Sequence, residues 1–130
     1  MSLNVTEEQV ERASNGELSE AEFVEIIRDS LPFAYDTVER LAKQLANGDD
    51  VVIEAPLHME DGDRAQLLRA FASTSMRTAL ECHFGIAELA FQNCHSAGGT
   101  TDEGKKSQRW KRFTSIEGQV LNQHPALRDC

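Results

Sequence analysis

Between Pro32 and Gly48 the chain carries its tightest constraint. Ala34, Val38, Leu41, Ala42 and Leu45 recur every three or four residues, and Asp36, Glu39, Arg40 and Lys43 occupy the positions between. This spacing puts the apolar set on one face of an α-helix and the charges on the other. Such a helix needs a second apolar surface to fold against. Pro32 has no N–H to donate and clashes with a preceding turn, so a helix either begins there or kinks. Upstream, Phe23, Ile26, Ile27 and Ser30 form another stripe of helical period. Asn47 or Gly48 supplies the left-handed residue that ends the longer helix.

The same helical logic governs the N-terminus. In "VTEEQV" Thr6 stands three residues before Gln9, and in "LSEAEF" Ser19 stands three before Glu22. Each pair is a capping box, in which side chain and backbone satisfy each other's orphan donors. Val5 with Val10, and Leu18 with Phe23, sit at the flanking staple positions. The spacing predicts a short helix over 6–13, a turn at Gly16, and a second helix from about 19. Asp63 and Gln66 read as a third box. It would open a helix through Leu67, Leu68, Phe71, Met76, Ala79, Leu80 and His83, bent or split by Ser73-Thr74-Ser75 and closed by Gly85.

The remaining segments carry weaker signals. Val51-Val52-Ile53 reads as a short strand ended by Pro56. Residues 86–94 fit a helix through Ile86, Leu89, Ala90 and Asn93, with strand the alternative. "HSAGGTTDEG" reads as a flexible loop, 102–122 as a last helix showing Trp110, Phe113, Ile116 or Glu117, and Val120, and 123–130 as a tail. The expected fold is therefore all-α, a compact bundle of five to six helices. One short strand or β-hairpin at 51–57/86–94 is its only β element. All 130 residues form a single helical domain, with 1–17 as the N-terminal short helix and turn.

Composition bounds the function classes. No apolar run approaches the ~20 residues of a membrane span. "MSLNVTEEQ" is polar and acidic where a signal peptide is basic and then apolar, so a cytoplasmic protein with no membrane partner is expected. Three cysteines, reduced, suit that compartment. Charge is uneven: residues 1–63 hold 16 acids against 4 bases (−12), and residues 64–130 hold 6 against 9 (+3). The two halves should attract each other, within one chain or across a dimer. The overall −9 disfavours nucleic acid at long range.

Three clusters could carry chemistry. Cys82-His83 and Cys94-His95 offer four zinc-type ligands. Twelve residues of unbroken helix would separate the pairs by ~18 Å, so convergence requires a break at Gly85. The bland alternative makes both cysteines small buried residues and both histidines exposed helix ends. A nucleophilic thiol is a further option: Cys94 beside the "SAGGTT" loop, with His95, His58 or His124 as its base. "HMEDGD" supplies His58, Glu60, Asp61 and Asp63 as oxygen and nitrogen donors, although turn and N-cap roles account for them equally. "KKSQRWKR" gathers five bases around the single tryptophan, Trp110. That is a crude nucleic-acid or ligand surface, against the simpler reading of a core aromatic flanked by bases that answer the acidic half.

No phosphate-binding glycine loop, G-x-S-x-G elbow or H-E-x-x-H is present. The balance falls on a small acidic helical accessory or binding protein without enzymatic activity. It would act through protein–protein contacts, most simply with a second copy of itself as a homodimer or with another protein, and need no cofactor. The competing expectation is a small enzyme, or a ligand- or zinc-binding protein, with a pocket around Cys94, His95, His58 and Glu60.

Overall fold

A computed structural model describes residues 2–54, 59–92 and 96–121. The long amphipathic helix is present as α3 (Pro32–Ala46), with proline in its first turn and its apolar face buried. It follows α2 (Glu20–Ser30) after the single residue Leu31, so Pro32 starts a new helix. Both N-terminal capping boxes form, at Thr6 before α1 (Glu7–Ser14) and at Ser19 before α2. Gly48 takes the left-handed backbone beyond α3, whereas Asn47 does not.

The third box does not form. The next helix, α4 (Asp61–Ala72), starts three residues early and has no side-chain cap. Gln66 serves a different helix: its Oε1 accepts from the backbone N–H of Phe33 at 2.7 Å and of Ala34 at 3.3 Å. Leu31 offers α3 no capping oxygen, so the orphan donors of its first turn are satisfied from α4 instead. Ser73 then splits the predicted helix and caps α5 (Thr74–Phe84), accepting from Met76 N at 3.3 Å. Gly85 closes α5 at φ 69°.

The all-α expectation is overturned by a three-stranded antiparallel sheet, which makes the fold mixed α/β though mostly helical. β1 (Val51–Glu54), β2 (Glu88–Gln92) and β3 (Ser96–Thr100) lie in the order β1-β3-β2. The hairpin expected between 51–57 and 86–94 is also wrong as a pairing. Those two strands do not touch, and each pairs with β3, Val52 and Leu89 both standing opposite Gly99. The segment expected to be a flexible loop is thus the central strand, with every residue from Ser96 to Thr100 buried.

Its glycines explain both the misreading and the placement. A Cβ built at Gly98 would lie 2.7 Å from Phe113 Cε1 and 3.0 Å from Trp110 Cζ3. Absence of a side chain lets the aromatic rings lie directly on the strand. On one face of the sheet Val51, Ile53 and Ala90 pack with Trp110 and Phe113. On the other, Val52, Leu89 and Ala97 join the main core of Ile27, Leu31, Leu41, Leu67 and Leu80. The sheet is a layer between α2–α5 and the C-terminal helices.

The expected single helix over 102–122 is broken into three pieces. A 3-10 turn (Gly104–Lys106) precedes α6 (Gln108–Phe113) and α7 (Ile116–Leu121). Ser107 caps α6 through Trp110 N at 3.2 Å, and Ser115 bonds Gly118 N at 2.9 Å. These two hydroxyls offer the backbone an alternative to a continuous helix. Both outer edges of the sheet receive a charged side chain. Arg109 donates to the Val51 carbonyl at 3.0 Å, and the Glu81 carboxylate accepts from Leu89 N at 2.7 Å.

No helix among the described residues is long and apolar enough to cross a membrane. Among the described residues the two charge halves meet in the ion pair Arg64–Asp61, across the boundary itself. Arg12–Glu22, Arg28–Glu25, Arg40–Glu54, Lys43–Glu39 and Lys106–Glu103 each stay within one half. Arg12 hydrogen-bonds Glu22 and, with the Ser19 cap, holds its carboxyl down at about 2.

Candidate functional site

The expected donors do not assemble among the described residues. Cys82 and His83 sit on the last turn of α5, both exposed, so Cys82 is not a small buried residue of the core. The His83 ring lies edge-on to Phe84 at 4.8 Å. Glu60 and Asp61 are exposed at the start of α4, where Asp61 pairs with Arg64 at 3.2 Å, and Asp63 is half-buried. His58, Cys94, His95, His124 and Cys130 lie outside the described residues. No group of three or more metal-ligating side chains occurs among those described.

Trp110 is buried, and its Nε1 donates to Glu88 Oε2 at 3.1 Å. Its ring stacks at 5.5 Å on Phe113. It is therefore a core anchor holding α6 on the sheet, with its polar edge satisfied. Lys105, Arg109, Lys111 and Arg112 around it point outward as exposed residues.

What the fold does build is a groove of about 450 Å³ along β2. Leu68 and Phe71 of α4 wall one side, Phe113 and Gln119 the other, and Phe91 and Gln92 line the strand between them. The Phe71 and Phe91 rings are 5.6 Å apart across it. Arg77 reaches back from α5 and donates to the Phe71 carbonyl at 2.6 Å, which fixes the α4–α5 corner at the groove mouth. Leu68 is exposed beside it. The lining mixes aromatic and aliphatic surface with Arg77, Glu88, Gln92 and Gln119.

Periodicity gave no hint of this groove. Leu68 and Phe71 stand in the sequence as ordinary helix-face residues, and the wall opposite exists only because the last helix breaks at Thr114-Ser115. One signal was available: Leu67-Leu68 puts an apolar residue beyond the width of a single buried stripe.

Compared with known proteins, the whole chain, residues 1–130, matches one family, KH_NucS_shadow, described as "NucS shadow ORF". The chain belongs to the NucS shadow ORF family. No curated protein matches it, and neither does any solved structure. The family's description identifies a reading frame and names no activity. For this family member the groove along β2 is accordingly read from its own residues.

Proposed function

We propose that this NucS shadow ORF family member is an accessory binding protein that acts through protein–protein contacts, with the β2 groove as its receiving site. One observation carries the reading. An edge strand, a helix and a broken helix pair enclose an open trough lined by both apolar and hydrogen-bonding side chains. Extended peptides bind such sites by lying beside an edge strand and placing alternate side chains into pockets. The occupant is an extended segment of a protein partner with apolar side chains at alternate positions.

A second reading is a KH-type grip on single-stranded nucleic acid. It draws support from the order β1-α4-α5-β2-β3, two adjoining helices between strands of one antiparallel sheet. KH modules grip four backbone nucleotides through a GXXG loop. Here the α4–α5 corner is Ala72-Ser73-Thr74, without glycine. Glu88 adds a carboxylate to the groove, and the chain carries −9. Each of these works against a phosphate backbone, so the peptide reading stands first.

Amide NMR separates the two. Titration with a set of eight-residue peptides of alternating apolar pattern should shift Ala90, Phe91, Gln92 and Leu68, and Leu68→Asp should abolish the shifts. Shifts at these residues with single-stranded RNA oligomers, and none with any peptide, would overturn the protein reading.

A further inference from the structure

A second surface, on the far side of Phe113 from the β2 groove, meets no complement among the described residues. α6 and α7 border a hollow of about 310 Å³ floored by Ile53, Phe113 and Leu121, with Arg109 and Arg112 among its lining residues. Lys105, Lys111 and Arg112 make no ion pair among the described residues. Arg109 spends one N–H on Val51 and is otherwise exposed. Beside the hollow, α7 leaves Ile116 87% exposed, and Val120 and Leu121 are exposed on the same short helix. Apolar side chains this open beside uncompensated cations mark a surface that a partner covers.

The opposite chemistry lies at the other end of the chain. α1 buries none of its residues and shows Glu7, Glu8 and Glu11 to solvent. Val5, just before its cap, and Val10, in its middle, are exposed large apolar residues, Val10 at 56%. This is an acidic helix with an apolar flank, and the basic hollow with its apolar floor is its complement in both charge and surface type. Electrostatics also select between ways of pairing copies: α1 against α1 would set six glutamates together, whereas α1 against α6 sets acids on bases.

We infer that two copies of this chain associate by seating α1 of one on the α6–α7 hollow of the other. Resting on the protein-contact reading above, this names the partner and the surface, separate from the β2 groove. One such contact is small. Eight residues of helix run only ~12 Å, and a specific interface buries roughly 800 Å² per partner. A two-fold pair makes the contact twice and comes closer to that size, and two-fold closure is the commonest arrangement for identical subunits. The association should therefore be modest and weakened by salt.

Sedimentation velocity and equilibrium on the full chain test it, across concentrations up to about 1 mM and at low and high salt. The expected result is a monomer–dimer equilibrium whose Kd rises with salt. The double reversal Lys111→Glu/Arg112→Glu should raise Kd about tenfold or more. Glu8→Lys/Glu11→Lys should do the same alone, and an equimolar mixture of the two variants should dimerise again. Circular dichroism and melting of each variant confirm that it folds. A monomer under all conditions, or a dimer indifferent to both reversals, overturns the inference. So does single-stranded RNA binding that Lys111→Glu/Arg112→Glu abolishes in a protein that stays monomeric. A monomer that still shows peptide-induced shifts at Leu68 and Phe91 would overturn this interface and leave the groove reading standing.

Discussion

The glycines of the central strand and its following turn give a graded test of how the layers meet. At Gly98 an added Cβ would sit 2.7 Å from Phe113 Cε1, 3.0 Å from Trp110 Cζ3 and 3.2 Å from Phe113 Cζ. Reaching the 3.4 Å at which ordinary contact begins requires the Phe113 ring to withdraw by roughly 0.7 Å. It cannot do so freely, because it is buried against Trp110, and Trp110 is tied to Glu88. Overpacking of this kind costs about 1–3 kcal/mol. One residue on, a Cβ at Gly99 meets Leu45, Ile86 and Leu89 at 3.4–3.6 Å, which is van der Waals contact. Neither glycine has positive φ, so Gly99→Ala should be neutral or stabilise by up to ~1 kcal/mol through the unfolded chain. Gly104 marks the other extreme: its Cβ would fall 2.0 Å from the Asp50 carbonyl oxygen, a backbone atom that cannot swing aside. Gly104→Ala should cost more than Gly98→Ala, about 3 kcal/mol or above. Urea unfolding followed by circular dichroism and by the fluorescence of the single tryptophan measures all three. The order of stability should be Gly99→Ala, then Gly98→Ala, then Gly104→Ala. Gly98→Ala matching or exceeding Gly99→Ala would refute the claim that the aromatic pair rests on the bare strand.

Other substitutions probe separate joints. Gln66→Ala should destabilise by about 1–2 kcal/mol, because two N–H groups of the α3 first turn lose their acceptor. Asp63→Ala should change thermal unfolding far less, the reverse of what a capping box at that site requires. Glu22 ionises at about 2 in the folded chain against an ordinary 4.5, held down first by the Arg12 hydrogen bond. Its stabilising contribution is present above about 4.5 and is lost as pH falls toward about 2. Glu22→Gln should accordingly be less stable than the parent at pH 7 and converge with it in acid; parallel urea midpoints across that window would contradict the pairing. The exposed Cys82 thiol should react with a disulfide reagent in the native state, so Cys82→Ser should remove one fast equivalent, and an unchanged fast phase would place that thiol out of reach.

Helices with dense local signals were legible from sequence. Two capping boxes, Pro32 and Gly85 all act within one turn of chain, and each has the predicted effect in the fold. The sheet was not legible because its middle strand has almost no side chains to alternate: Ala97, Gly98 and Gly99 carry no period-2 pattern. Its β propensity comes from the layers on either side, Phe113 and Trp110 on one face and Leu45, Ile86 and Leu89 on the other. Gln66 fails for a related reason, since a side chain three residues after Asp63 has no local mark of serving Phe33 instead. The groove along β2 depends on both missed features, a paired β2 and a helix broken at Ser115. The chemistry-bearing residues were easy to see, but among the described ones they do not converge; Cys82, His83, Glu60 and Asp61 stand apart at exposed helix ends.

Arg109 on the Val51 carbonyl and Glu81 on the Leu89 amide stopper the two rims of a very small sheet. Three strands leave as much rim as interior, so an open rim would be a standing invitation to recruit further strands without limit. With Val51 and Leu89 each already bonded to a charged side chain, strand-by-strand growth between copies is interrupted at one point on each rim, while the Phe91–Gln92 end of β2 stays beside the open groove. Contacts between copies are thereby channelled to helix surfaces, whose shape and charge permit a closed assembly of fixed size rather than a fibre.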